Sequence, residues 1–362
     1  MLTILADDLT GACDTGTLFA GGGAVPVTVW PQAAVRAPVR VLDTESRALS
    51  AIEAARRVEA AARRTSSARY FKKIDSTFRG HVGAEVNALL RATGGVSAVL
   101  TPAFPGQGRT VFDRVLLVDG TPVAETAIAR DPEFPDPATS SVVDLLRSTL
   151  DRPLAWIPID QLRAGLPSLT ARLRRLSGTV AVADAETDDD LALLVDAVLA
   201  LDPAPLLIGS AGLARALAAR LGLVADRAPL PFCRRWLVVA GSRHPATRAQ
   251  IAAAREAGIQ VLASVPGESA EREEVAMRLA AEAADILAQE RFDLVAVTGG
   301  QTAVALYRAL GAERIDLVGA PGPGLALGYL RTPDHPALPI LTKAGAFGAP
   351  DLFVSLLREV SV

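Results

Sequence analysis

Short apolar runs alternate with amphipathic stretches from one end of the chain to the other. Leu2, Ile4 and Leu5 begin a strand that stops at Asp7, and Thr10-Gly11 then opens a helix that Gly21-Gly22-Gly23 ends. Residues 25–30 (VPVTVW) and 39–47 (VRVLDTESR) read as strands, the second ending in polar residues. Residues 52–64 have helical spacing, with Ala, Ile and Val on one face and arginines on the other. Residues 69–80 (RYFKKIDSTFRG) are strand then loop, 82–92 a helix, and 97–110 a strand opening into a Pro/Gly loop. Several prolines and acids make 119–140 a loop or lid. Such alternation predicts βα units and parallel sheets.

The pattern breaks at residues 225–236 (ADRAPLPFCRRW), whose two prolines precede a fresh strand. Beyond it come strands 236–240, 259–263 and 293–298 and helices 246–257, 270–290 and 302–310. A chain of 362 residues exceeds the size at which one core stops growing. The expectation is therefore an α/β protein of two domains, 1–230 and 231–362, each a mainly parallel sheet flanked by helices.

Composition narrows the function. Half the residues are hydrophobic but only 4% are aromatic, so Ala, Leu and Val build the core. A net charge of -3 leaves no general footprint for nucleic acid, and an anionic substrate needs a local basic cluster. Cys13 and Cys233 are too far apart for a disulfide framework and read as packed side chains. His81, His244 and His335 have no zinc spacing, and no metal-ligand set is legible. No basic leader precedes Asp7, and no apolar run is long enough to span a membrane. A soluble, cytoplasmic protein is expected.

Three constellations carry candidate chemistry. Asp7 and Asp8 stand at a strand's carboxyl end, where open α/β sheets bind ligands. Adjacent acids tolerate each other best around a metal, a polyol or a base. The plain alternative is an Asp helix cap beside a solvated partner. In KKIDSTFRG, Lys72 and Lys73 point to opposite faces of a regular strand, so that one faces the site and the other is solvated. Asp75, Ser76 and Thr77 follow, equally able to cap a helix, and Arg79 offers a planar fork for a carboxylate or phosphate. The stiff loop PAFPGQGRT delivers Gln107, Arg109 and Thr110. GSAGLA (209–214) is a further strand-to-helix turn, either structural or facing a cleft between the domains.

In the C-terminal part, VVAGSRHPATRAQI (238–251) and VAVTGGQTAVAL (295–306) each run strand, Gly turn, helix. Such turns expose backbone N–H groups to an anion. Gly299 and Gly300 admit phosphate oxygens close to the backbone, and Thr302 adds a hydroxyl. Two more Gly-rich loops follow, the second (341–353) carrying Lys343. No P-loop and no GxGxxG fingerprint is present.

These segments together resemble the four-carbon acid sugar kinases, which pair a sugar-binding N-terminal domain with a nucleotide-binding C-terminal domain. ADDLTGACDTG, LDTESR, YFKKIDSTFRG, TPAFPGQGRT, the GS turn with its following T and QI, GGQTA and KAGAFGAPDLF occur in the family's order over nearly the whole length. The resemblance implies ATP-dependent phosphorylation of the terminal hydroxyl of threonate, erythronate or 3-oxo-tetronate, with Mg2+, in the interdomain cleft. It assigns Asp7, Asp8, Asp75, Ser76, Thr77 and Arg79 to the sugar-acid site, and Ser242, Gly299, Gly300, Gln301, Thr302 and Gly345 to ATP. Lys73 and Arg109 join the substrate group as local cations. Asp8 is the first candidate base and Asp75 the second, while Arg79 and a lysine hold the substrate carboxylate. The family often has serine where His244 stands, and Ser-Gly-Asn where Ala344-Gly345-Ala346 stand. Partners are expected to be a small sugar acid, ATP and a second copy of the chain. A nicotinamide-dependent oxidoreductase is the rival that the missing GxGxxG disfavours. A non-catalytic sensor of sugar acid and ATP is the other.

Overall fold

The computed structural model describes residues 1–242, 244–265, 271–333, 336–345 and 347–360; His335 and Ala346 lie outside them. The chain opens with β1 (Leu2–Ala6), α1 (Leu9–Thr17), β2 (Val25–Val29), β3 (Val39–Asp43), α2 (Ala51–Arg63), β4 (Arg69–Lys73), α3 (Val82–Thr93) and β5 (Ala98–Thr101). A three-stranded antiparallel sheet follows, β6 (Arg109–Phe112), β7 (Val115–Val118) and β8 (Thr121–Pro122). Next come α4 (Val142–Arg147), β9 (Leu154–Ile157), α5 (Ile159–Leu162), α6 (Leu166–Arg175), β10 (Val180–Ala183), α7 (Asp188–Leu199), β11 (Leu206–Gly209) and α8 (Ala211–Arg220). The remainder is β12 (Trp236–Ala240), α9 (Pro245–Glu256), β13 (Gln260–Ala263), α10 (Arg272–Gln289), β14 (Leu294–Thr298), α11 (Gly300–Ala309), β15 (Arg314–Gly319), β16 (Leu325–Arg331), β17 (Leu338–Lys343) and α12 (Leu352–Val360).

Two compact units result: Met1–Thr15 with Ala33–Val224, and Gly16–Gln32 with Ala225–Val362. The division falls at residue 225 rather than 230, and it also moves residues 16–32 out of the first unit. β2 explains the transfer. It pairs antiparallel with β15, Val27 against Ile315, and Gln32 Nε2 donates to the Ala312 carbonyl at 2.7 Å. Strand periodicity finds β2 but says nothing of its partner.

In the first unit the strand order is β3-β1-β4-β11-β5-β10-β9, every pairing parallel. Leu5, Phe71, Leu100, Val182 and Ile208 are buried within it, as expected of parallel strands covered on both faces. Along α2 the buried positions are Ala54, Val58, Ala61 and Ala62, one helical face; Ile52 lies off it and is exposed. In the second unit the order is β13-β12-β14-β17-β16-β15-β2. Its first four strands are parallel and the rest pair antiparallel. Trp236, Val238, Ala240, Leu294, Leu341 and Phe353 form its core.

Candidate active site

At the carboxyl ends of β3, β1 and β4 the sequence turns from apolar to charged, and the parallel register gathers those tips. Thr44 anchors the loop after β3 by donating from both N and Oγ1 to the Ala6 carbonyl, each at 2.8 Å. Ser46 and Arg47 N–H groups then take the Asp7 carbonyl at 2.9 and 3.2 Å. So placed, the Arg47 guanidinium grips Asp7 with Nε and Nη2 at 2.7 and 3.0 Å, and Nη2 also reaches Asp8 Oδ1 at 2.7 Å. Burial would raise the Asp7 carboxyl, but Arg47, with Lys72 and Lys73, outweighs it and holds Asp7 below its ordinary value. The left-handed Gly80 (φ +91°) closes over the pair, where a Cβ would lie 3.2 Å from Asp7 Oδ2.

Asp8 is indeed a helix cap, accepting from Gly11 N–H at 3.1 Å and Thr10 Oγ1 at 2.5 Å. Its neighbour Asp7 is buried rather than solvated, so only half of the plain alternative holds.

Neither strand lysine is solvated. Lys72 turns under the sheet tip, where its Nζ meets Glu85 Oε2 of α3 at 2.9 Å. Glu85 also accepts from the Ser46 hydroxyl. Lys73 turns to the other face and is 5% exposed. A Cβ on Gly11 would sit 3.0 Å from its Nζ and 2.5 Å from Asp8 Oδ1, so glycine leaves room for the ammonium over the first turn of α1. Among the described residues that ammonium has no hydrogen-bond or ion-pair partner. Its field falls on Asp7 and Asp14.

Asp75, Ser76 and Thr77 cap no helix, because α3 begins only at Val82 behind His81. Asp75 instead forms a closed turn. It accepts from Thr77 N–H at 3.1 Å, from the Thr77 hydroxyl, and from Arg79 Nε and Nη2, both at 3.0 Å. Burial opposes its charge, yet Arg79 and Arg47 hold its carboxyl well below the usual range. Arg79 is correspondingly occupied, with Asp131 a further 3.4 Å from Nη1. Ser76 is half-buried beside this turn. Residues 119–140 are no free lid: β8 and short 3-10 turns structure them, and the Glu133 carbonyl accepts from Gly80 N–H at 2.8 Å. Arg109 stands on β6 and donates back to the Gln107 carbonyl of its own loop. Ser210 is a structural cap, bonded to Gly212 N–H and the Ala103 carbonyl.

The second unit presents three adjacent parallel tips, β12, β14 and β17. Gly299 (φ +102°) precedes α11, whose first turn has no side-chain cap. A Cβ there would stand 3.3 Å from Ser242 N and 3.5 Å from Thr302 Oγ1. Thr302 is buried and packs on Gly241, whereas Gln301 is exposed. Ser242 Oγ faces Gly345, where a Cβ would come within 2.5 Å. Ser242, Gly299, Thr302 and Gly345 thus converge around uncapped N–H groups, a cradle that suits phosphate oxygens. His244 is turned away from that task, since its Nδ1 accepts from Ala246 N–H at the head of α9.

Comparison with known proteins agrees with both halves. Residues 2–217 match the family of sugar-binding N-terminal domains, and residues 260–353 that of nucleotide-binding C-terminal domains. A D-threonate kinase of Salmonella typhimurium is 33% identical, over 99% of this chain and 98% of its own. The chain belongs to the four-carbon acid sugar kinase family. Its enzyme class is sugar-acid kinase. A D-threonate kinase of Bordetella bronchiseptica is 34% identical over 99% and 96% of the two chains. A 3-oxo-tetronate kinase of Burkholderia multivorans is 29% identical over 99% and 97%. Solved structures from Salmonella typhimurium (TM-score 0.84, 23% identity, 99% of both chains) and Haemophilus influenzae (0.78, 21%, 99% and 100%) share the fold. A Bordetella bronchiseptica protein of this fold, 30% identical over 99% and 98% with a TM-score of 0.53, is a domain-swapped dimer with bound citrate.

Arg47, Glu85, Asp14 and Asp43 join this charge network without having been singled out as candidates: Asp14 lies within ADDLTGACDTG, Asp43 and Arg47 within LDTESR, and Glu85 in none of the quoted segments. Arg47 lies within LDTESR, yet its role needs the β1–β3 pairing. Asp43 is pushed well above the ordinary carboxylate value by burial, its one bond from Glu45 N–H opposing this while Asp8, Glu45 and Asp7 add to it. Among the described residues no group of three His, Cys, Asp or Glu side chains could hold a metal ion, and no helix is long and apolar enough to cross a membrane.

Proposed function

We propose that this kinase transfers the γ-phosphoryl group of ATP to the terminal hydroxyl of a four-carbon sugar acid. The observation that carries the reading is Lys73. A buried ammonium with no hydrogen-bond or ion-pair partner among the described residues, standing among carboxylates at strand tips, suits one substrate carboxylate, while those carboxylates accept the bonds of its hydroxyls. Arg79 is committed to Asp75 and Lys72 to Glu85, so Lys73 is the anchor. Asp7 and Arg47 fix Asp8, and Asp8 takes the proton as the hydroxyl oxygen bonds to the γ-phosphorus and the bond to ADP breaks. Asp75 is a weak base, held as an anion by Arg79, and it orients that arginine.

Ser242, Gly299, Gly300, Thr302 and Gly345 are the ATP group, with Gln301 at its margin. Mg2+, if bound, would be held mainly by the triphosphate and water, since such ions need only one or two carboxylates beside them, and would offset phosphate charge; the chain's own residues contribute positioning. The residue set of each unit supports one half of the reaction, and transfer requires that hydroxyl and phosphorus meet. The names of the relatives make D-threonate the first substrate to try, then D-erythronate and the 3-oxo acids. The Bordetella dimer supports a homodimer, and use of ATP as the donor would suit a cytoplasmic setting.

A coupled ADP-release assay over D- and L-threonate, D- and L-erythronate and 3-oxo-tetronates, with Mg2+, tests the reading. ADP release with one acid is expected. ATP binding with no release on any of them refutes transfer and favours a sensor.

A further inference from the structure

The loop after β17 is held from beneath by three side chains. Lys343, 1% exposed, donates from Nζ to the carbonyls of Ala344, Gly345 and Phe347 at 2.9, 3.1 and 3.0 Å. Thr247 Oγ1 donates to the same Gly345 carbonyl at 2.9 Å. One turn along α9, Gln250 Nε2 reaches the carbonyls of Phe347, Gly348 and Ala349 at 2.9, 3.0 and 3.0 Å. An ammonium has three donors and no acceptor, so Lys343 has none left for a phosphate.

A trans peptide sets its C=O and N–H on opposite sides. Carbonyls of Ala344, Phe347 and Gly348 drawn inward therefore turn the N–H groups of Gly345, Gly348 and Ala349 away from the core. None of these three donates to a backbone carbonyl among the described residues. Phe347 N–H turns back to the Ala344 carbonyl, so the outward amides are Gly345 on one side of the loop and the adjacent Gly348 and Ala349 on the other, donors of the kind that receive an anion. Gly345 lies beside Ser242, where a Cβ would come within 2.5 Å of its Oγ.

We propose that Lys343 is a positioning residue for nucleotide binding: with Thr247 and Gln250 it pulls the carbonyls of this loop inward and so presents the loop's amides to the triphosphate. The inference rests on the kinase reading and names what shapes its phosphate site. Lys343 touches no substrate in this account; it acts through the backbone.

Burial lowers Lys343 from 10.5 to about 8. A neutral amine has two donors and a lone pair facing three carbonyls, so one contact is lost as the proton leaves. Among the described residues His244 feels its charge, being lowered by burial and by Lys343, and is thus neutral across that interval. Its register neighbours Thr298 and Leu325 are uncharged. A lysine with a lower value folded than unfolded adds stability as pH rises from about 8 to 10.5. Weaker nucleotide binding over that range would therefore not reflect loss of the fold at this group.

The test is ATP affinity by calorimetry on the full chain, wild type and Lys343→Met, from about pH 7 to 9.5, with sugar-acid kinetics alongside. Losing charge-assisted bonds should weaken ATP binding by about tenfold in K343M and raise KM for ATP likewise. The KM for sugar acid and kcat at saturating ATP should hold. Wild-type ATP affinity should fall as pH passes about 8, and the variant should be flat. Unchanged ATP affinity in a folded variant overturns the proposal. If K343M does not fold, a wild-type affinity independent of pH overturns it. Absence of ATP binding by the wild type overturns the kinase reading and this inference with it.

Discussion

Lys72 Nζ lies 2.9 Å from Glu85 Oε2, and both side chains are buried. Through Glu85 the pair ties α3 to the tip of β4, and through the Ser46 hydroxyl to the loop that carries Arg47. Breaking such a pair leaves one uncompensated buried charge, at a cost of about 3–5 kcal/mol. Lys72→Met should therefore lower the denaturant midpoint strongly, and Lys72→Met with Glu85→Leu should recover much of the loss. A double variant no more stable than the single one would place the cost in packing.

Lys73 has a different environment from its neighbour and should give a different phenotype. Removing one charge-assisted contact worth about 1.5–3 kcal/mol should raise the KM for sugar acid by about ten- to a hundredfold in Lys73→Met. The KM for ATP should not move. Steady-state kinetics with each substrate varied decide it, and equal shifts in both would remove Lys73 from the substrate carboxylate.

Asp8→Asn keeps the helix cap and its shape but cannot take a proton. Loss of a general base costs about 10²- to 10⁴-fold in turnover. ATP affinity, read by calorimetry, should stay near that of the wild type. Retained turnover would move the base elsewhere.

Asp75 carries a pH signature. Its folded carboxyl lies well below 3.8, through Arg79 and Arg47 prevailing over burial. Stability from this group is present above the unfolded value and disappears as pH falls through the folded one. The stability gap between wild type and Asp75→Asn, measured by denaturant unfolding, should be full near neutral pH and close at strongly acid pH. A gap independent of pH would mean that the charge contributes nothing.

Much of the fold was readable from alternation alone, because a buried parallel strand must be apolar and a flanking helix amphipathic. Asp7, Asp8, Asp75 and Arg79 stood out because they follow such strands directly. What alternation cannot carry is partnership. β2 has the same pattern as the strands around it, yet it joins β15, about 290 residues away along the chain. Arg47 is unremarkable until the β1–β3 register sets it over Asp7.

The lysines make the same distinction at single-residue scale. Adjacency on a strand determined that Lys72 and Lys73 face opposite ways, since successive side chains alternate. Which of them would be neutralised depended on α3 bringing Glu85 to one face and Gly11 leaving space on the other. Likewise the composition of KAGAFGAPDLF determined a Gly-rich loop, but only the packing of α9 against it assigned Lys343 to the carbonyls rather than to an anion. Chemical type and local direction are properties of the chain; the partner of a buried charge is settled by which distant segment fills the space beside it.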